Sequence, residues 1–393
     1  MSPAPDAPSP LPLTGVRILE LANVVAGPSI GALLSDFGAE VVKVERPGEG
    51  DAARAMGEAV GSRSAYWLCI GRNKRTVTLD LKAEADREAF LRLAGEADAL
   101  VESFRPGVLE RLGLAPERLH EVNPRLVIVR ISAFGQTGPY ADRPGFGTLA
   151  EAFSGLAEIS GYPDRPPLLP PIALADHVAG LHGTWALLAA LYHRDVHGGP
   201  GQTIDVSLYE SVLSLLGPLP TLYRHNGTQP ERRGSRLSFS SPRNVYRTRD
   251  GQHFVVSGTA PSAAERVVRI VGGEALAADP RFATGAARAE HADELDAIVA
   301  DWIAARDLAE VEARFQEQDA AGIRVMDMAA AASDPHYAAR ETVVAVPDDE
   351  LGEVLMTAPV PRLSATPGRI AHAGRALGAD DAAVLGRTVE VGR

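Results

Sequence analysis

At 393 residues, 45% of them apolar, the chain is long enough to bury more than one core and suggests two or three domains. Its formal net charge of −12 argues against a nucleic-acid partner or an anionic membrane surface, both of which call for a basic footprint. The single cysteine, Cys69, excludes an intrachain disulfide and a cysteine-built metal cage.

Residues 1–12 (MSPAPDAPSPLP) lack a basic stretch and an apolar core, so they read as a disordered lead-in and not as a signal peptide. No run of 18 apolar residues occurs, no membrane span is expected, and a cytoplasmic protein is the expectation. From there the pattern alternates. VRILEL (Val16–Leu21) is strand-like, and SIGALLSDFGAE has helical spacing with a stop at Gly38. VVKVERP and TVTLDL read as strands, followed by a helix around Glu84–Ala94. ALVESF, two short helical segments (PGVLERLGL and APERLHEVN) and the strand LVIVRISAF complete the series. Strands alternating with helices across short loops predict an α/β fold, a parallel sheet with helices on both faces in a Rossmann-like large domain.

A long helix follows Asp176, then the punctuation Gly198-Gly199-Pro200-Gly201, a strand (TIDV) and a helix over ESVLSLLGPLPTLYRH. The polar stretch after His225 reads as a linker. Asp250-Gly251 between Asn244–Arg249 and Gln252–Ser257 is a hairpin signal. Amphipathic stretches at Ser262–Val271, Glu290–Ala305 and Leu308–Gln318 complete a smaller α/β domain. The expected organisation is a large domain over 13–225, a linker over 226–240, a small domain over 241–325, and a linker returning to the large domain over 326–393.

Several chemistries lack their signatures. The first loop (ANVVAGP) has no GxGxxG, and GFGTLA at Gly145 lies away from a strand, so no dinucleotide site is inferred. GxxxxGKS and HExxH are absent, and the ten histidines are scattered. GPSIG matches the GxSxG pattern, but a loop separates Ser29 from its strand where a nucleophile elbow needs a sharp turn. Two features remain. Basic residues between Lys43 and Arg111, among them Arg46, Lys74, Arg75, Lys82 and Arg105, cluster near strand ends, where α/β sheets collect ligands; a small polyanion is one reading and a solvated face the other. Asp176 reads as a helix N-cap, held ionised by backbone N–H groups and the helix dipole. Such a carboxylate either caps the helix or attacks an electrophile.

The residues that decide between these readings are GVRILELANVVAGPSIGALLSDFGAEVVKVERPGEGD, GRNKRTVTLDLK, ADALVESFRPGVLERLGL, ISAFGQTGPYADRPGFGTLAEAFSG, the Asp176 helix, DPHYAARETVV and PVPRLSATPGRI. In this order they resemble the family III CoA transferases, the group of formyl-CoA and carnitine-CoA transferases and the α-methylacyl-CoA racemases, from about Leu13 onward. The resemblance implies that Asp176 attacks an acyl-CoA thioester, giving a mixed anhydride and then an aspartyl-CoA thioester, from which a small carboxylic acid takes the CoA. It places CoA on Val25, Ala26, Arg46, Leu79, Lys82, Ser103, Phe104, Arg105 and Arg111, with Phe146 facing the thioester end. CoA is then a substrate, and no cofactor is bound permanently. It also implies an interlocked, ring-like homodimer.

Two departures bear on function. Racemases resemble Gly-His-Asp where this chain reads Gly145-Phe146-Gly147, and Phe146 cannot move a proton. The position of Gly147 is acidic in several transferases, and their glycine-rich covering loop has no clear counterpart beyond Ser257-Gly258-Thr259. Transfer of CoA is the first expectation. A 2-methylacyl-CoA racemase or a silent acyl-CoA-binding protein is the alternative.

Overall fold

A computed structural model describes residues 10–386; most of the predicted lead-in and the last seven residues lie outside them. Two compact units result among the described residues: one of residues 10–156, 169–221 and 339–386, the other of 157–168 and 222–338. The stretch 226–240, expected as a linker, falls within the second unit.

The first unit is built on β1 (Arg17–Glu20), β2 (Glu40–Glu45), β3 (Lys74–Thr78), β4 (Ala99–Glu102), β5 (Val127–Ser132) and β6 (Thr203–Ser207). Their order across the sheet is β3-β2-β1-β4-β5-β6, every pair parallel. Alternate side chains leave opposite faces, so each strand needs apolar residues on both. Ile18, Val41 and Val129 pack on one face against α1 (Ala26–Asp36) and α5 (Leu174–Val196). Leu19, Val42 and Ile128 pack on the other against α2 (Glu84–Glu96). The shorter helices α3 (Val108–Arg111) and α4 (Gly147–Phe153) and the eight-residue α6 (Leu208–Leu215) complete the layers. The helix expected to run on from α6 is interrupted at Gly217, whose φ is 54°, and resumes as α7 (Leu219–Asn226).

Helix α5 lies close on α1 because its glycines allow it. A Cβ on Gly183 would lie 2.4 Å from Ile30 Cδ1, and one on Gly180 would lie 2.8 Å from Ser29 Cβ. The C-terminal segment closes the far sheet edge, where Thr76 and Thr78 donate their backbone N–H groups to Asp380 and Asp381.

The second unit has a three-stranded antiparallel sheet, β9-β8-β7, of β7 (Arg243–Arg247), β8 (His253–Ser257) and β9 (Gly322–Arg324). The β7–β8 hairpin turns at Asp250-Gly251 as the sequence indicates. Its core packs against α8 (Pro261–Ala277), α9 (Ala292–Ala304) and α10 (Leu308–Glu317). The later hairpin of β10 (Val343–Asp348) and β11 (Gly352–Thr357) belongs to the first unit.

Candidate active site

In an open parallel sheet, the crevice forms at the carboxyl ends of the strands where the chain order reverses, here between β1 and β4. A cleft of about 530 Å³ occupies that place. The loop after β1 brings Val25 and Ala26 to it, and the loop after β4 brings Ser103, Phe104 and Arg105. Ser132 enters from the end of β5, Phe146 and Gly147 from the start of α4, and Asp176 from the start of α5.

The two loops are held from below and from each other. Asn23 donates its N–H to Ser103 Oγ at 2.9 Å, and Phe104 donates its N–H to buried Glu102 at 2.7 Å. Val24 donates its N–H to Asp51 Oδ1 at 2.9 Å, while Lys43 Nζ reaches both the Ala22 carbonyl and Asp51 Oδ2. Val24 has φ 69°, a left-handed conformation that costs a β-branched residue roughly 1–3 kcal/mol and persists only where surroundings dictate it. Those surroundings are a cluster of three acids (Glu20, Glu45, Asp51) and three bases (Lys43, Arg54, Lys74) paired beneath the loop. Burial by itself would discharge Lys43, but the adjacent Glu20 and Asp51 outweigh it and raise its pKa.

Asp176 is the third residue of α5, not its N-cap: Ala173 holds the cap position and offers no side-chain hydrogen bond. The cap comes instead from Glu151, 2% exposed, whose Oε1 accepts the Ala175 N–H at 3.3 Å. The expectation that the helix start keeps Asp176 readily ionised is therefore corrected. Burial and then the negative charge of Glu151 raise its pKa to about 6, against the lowering effect of its own backbone N–H. Ionised at neutral pH but poorly solvated, this carboxylate is more basic than an exposed one.

Phe104 and Asn23 also line a second cleft of about 360 Å³, so the two clefts meet at these residues. Arg46, Leu79 and Lys82 line the second one, together with Val108 and Leu112. The structure thus gathers Val25, Ala26, Ser103, Phe104, Arg105, Phe146 and Asp176 in one cleft and Arg46, Leu79 and Lys82 in its neighbour. Arg111, exposed at the end of α3, lines neither, although residues on both sides of it do. Other basic residues near the strand ends serve different ends. Lys43 and Lys74 are 0% exposed and satisfied by internal acids, and Arg75 pairs with Glu40 at 3.0 Å. Ser29 Oγ donates to the Val25 carbonyl at 2.8 Å, which occupies it in the helix start.

Two residues of the site escaped the sequence reading. Glu151 meets Asp176 only because α4 packs on α5, and its sole local signal is an acid inside an otherwise apolar helix. Ser132 Oγ is buried at the cleft and has no hydrogen-bond partner among the described residues. A hydroxyl ending a parallel strand was its only cue.

A crevice at the carboxyl ends of parallel strands, lined by an acidic side chain, is where an α/β enzyme binds its ligand. The profile of CoA-transferase family III matches residues 13–381, and the chain belongs to that family; it is a family III CoA-transferase. It is 42% identical, over 94% of its length and 92% of the relative's, to a protein named succinyl-CoA–D-citramalate CoA-transferase from Chloroflexus aurantiacus. It is 38% identical, over 95% of its length and 93% of the relative's, to the β subunit of succinyl-CoA–L-malate CoA-transferase from the same organism. Among solved structures, a CaiB/BaiF family protein from Brucella suis superposes with a TM-score of 0.84 at 31% identity, covering 96% of this chain and 99% of that one.

Proposed function

We propose that the enzyme moves CoA from an acyl-CoA donor to a small carboxylic acid through covalent intermediates on Asp176. The observation that carries this reading is the position of the Asp176 carboxylate in the cleft that Val25, Ala26, Ser103, Phe104 and Phe146 also line. An Asp176 oxygen attacks the thioester carbonyl carbon, the C–S bond breaks, and CoA leaves as a thiolate, which leaves a mixed anhydride. The thiolate then attacks Asp176 Cγ, forming an aspartyl-CoA thioester and releasing the donor's carboxylate. The acceptor carboxylate attacks the same Cγ and displaces the thiolate, giving a second anhydride. Attack of the thiolate on the acceptor's carbonyl yields the new acyl-CoA and restores Asp176. No net proton or redox change is needed, and each step is easier than direct exchange.

The strand order of the first unit supports reading it as a Rossmann-like domain. The adjoining clefts suit the length of CoA, with the thioester at Asp176 and the phosphates toward Arg46 and Lys82. We place Arg105 and Phe104 between these ends, Leu79 against the nucleotide, and Arg111 at the margin. Phe146 offers no base for α-proton exchange, which favours transfer over racemisation. The reading also includes a homodimer in the cytoplasm. Leu181, Trp185, Leu188, Tyr192 and Val196 are exposed along α5 at spacings of three and four, an apolar stripe that a second copy of the chain would cover.

The test is intact-protein mass spectrometry after incubation with a panel of acyl-CoAs. An adduct removed by hydroxylamine and missing in Asp176→Ala supports the covalent route. Turnover with Asp176→Ala undiminished would reject it.

A further inference from the structure

An acceptor with two carboxylates brings one to react and another to be held. The cleft it must enter already contains Asp176, with Glu151 beside it, so a dianion needs a compensating cation. Among the lining residues only Arg105 and Arg143 bear positive side chains. Arg105 Nη2 is occupied with the Asp142 carbonyl at 2.7 Å. Arg143 is exposed, and among the described residues it makes no ion pair.

Arg143 is nevertheless not loose. Its guanidinium carbon lies 3.5 Å from the centroid of the Tyr140 ring, and its backbone N–H closes a turn onto the Tyr140 carbonyl at 2.9 Å. Tyr140 is itself fixed by edge-on contacts with Phe134 and Phe153, at centroid distances of 6.0 and 5.7 Å. An arginine held over an aromatic ring has already lost much of its side-chain freedom, so it can receive a carboxylate at little further entropic cost.

We infer that Arg143 binds the distal carboxylate of the acceptor, so that the enzyme selects dicarboxylic over monocarboxylic acids. This rests on the transferase reading above and assigns its acceptor class. The test is steady-state kinetics of Arg143→Gln and Arg143→Lys with propionyl-CoA, whose acyl group has no second carboxylate, as the constant donor and either succinate, malate or acetate as acceptor. Loss of a charge-assisted contact corresponds to about 10- to 100-fold. The expected result for Arg143→Gln is a KM for succinate and malate raised by that factor, with the KM for the CoA donor and any rate with acetate within twofold of wild type. Arg143→Lys should recover part of the loss. An unchanged dicarboxylate KM in Arg143→Gln, or an equal loss for donor and acceptor, would overturn the inference. Wild-type enzyme that prefers acetate would overturn it as well while leaving CoA transfer standing. Wild-type enzyme that transfers CoA to no acid would reject the transferase reading, and this inference with it.

Discussion

Gly147 faces Asp176 so closely that a Cβ placed on it would lie 2.2 Å from Asp176 Oδ2. A side chain at this position and the present placement of the Asp176 carboxylate therefore exclude each other. Gly147→Ala should displace the carboxylate and lower kcat/KM by on the order of 10- to 100-fold. Alanine has the higher helix propensity, so the melting temperature should not fall in parallel. Activity at wild-type level in Gly147→Ala would show that the carboxylate has another place to go.

On the proposed covalent route, protonation of Asp176 sets a lower pH limit. With its pKa raised to about 6, the carboxylate is neutralised as pH falls through that value, and kcat/KM should drop about tenfold per unit below it. Glu151 contributes to the rise, so Glu151→Gln should move the acid limb to lower pH. A limb unmoved by Glu151→Gln would separate the two carboxylates.

The same shift has a stability consequence with an unusual sign. Asp176 has a higher pKa folded than unfolded, so the folded chain binds more protons between about pH 4 and 6. Stability from this group is therefore lost as pH rises through that window, and the cost is full above it. Asp176→Asn should abolish turnover yet stabilise the fold at pH 8 by about 1–3 kcal/mol, with the gain gone near pH 4. Urea midpoints at the two pH values measure it, and equal midpoints for mutant and wild type at pH 8 would refute it.

Ser132 offers a hydroxyl that the protein itself leaves without a partner among the described residues. Contact with substrate would make Ser132→Ala cost about 3- to 10-fold in kcat/KM, the worth of one hydrogen bond, with folding intact. A change of less than twofold for every donor and acceptor would exclude that contact.

The apolar stripe on α5 predicts the assembly state. Wild-type protein should sediment at about twice the chain mass of 41.5 kDa, and Trp185→Asp should shift it toward the monomer. A monomeric wild type would remove the homodimer.

Much of the first unit was legible because buried parallel strands read as apolar runs such as VVKV and LVIV, and glycine or proline marks their ends. The start of α5 was legible only to within a turn: Asp176 looks like a cap by residue type, but Ala173, three residues earlier, takes that position. Charge was the least legible feature. Lys43 and Lys74 have the composition of strand-end ligands, and nothing local shows that both pair with Glu20, 23 and 54 residues away respectively; parallel pairing across the sheet decides it.

The paired acids and bases beneath Val24 also constrain how this chain can vary. Among the described ion pairs Lys74 has Glu20 as its one acid, so exchanging Glu20 leaves Lys74 as a buried charge without a counter-ion, a loss of about 3–5 kcal/mol that is a large part of a typical fold's margin, whereas Lys43 keeps Asp51. Replacement with an apolar pair of similar volume is far less costly. Drift through this region should consequently proceed by linked exchanges: a relative without the glutamate of Glu20 should also be without the lysine of Lys74, and the loop above it should be inherited as one piece.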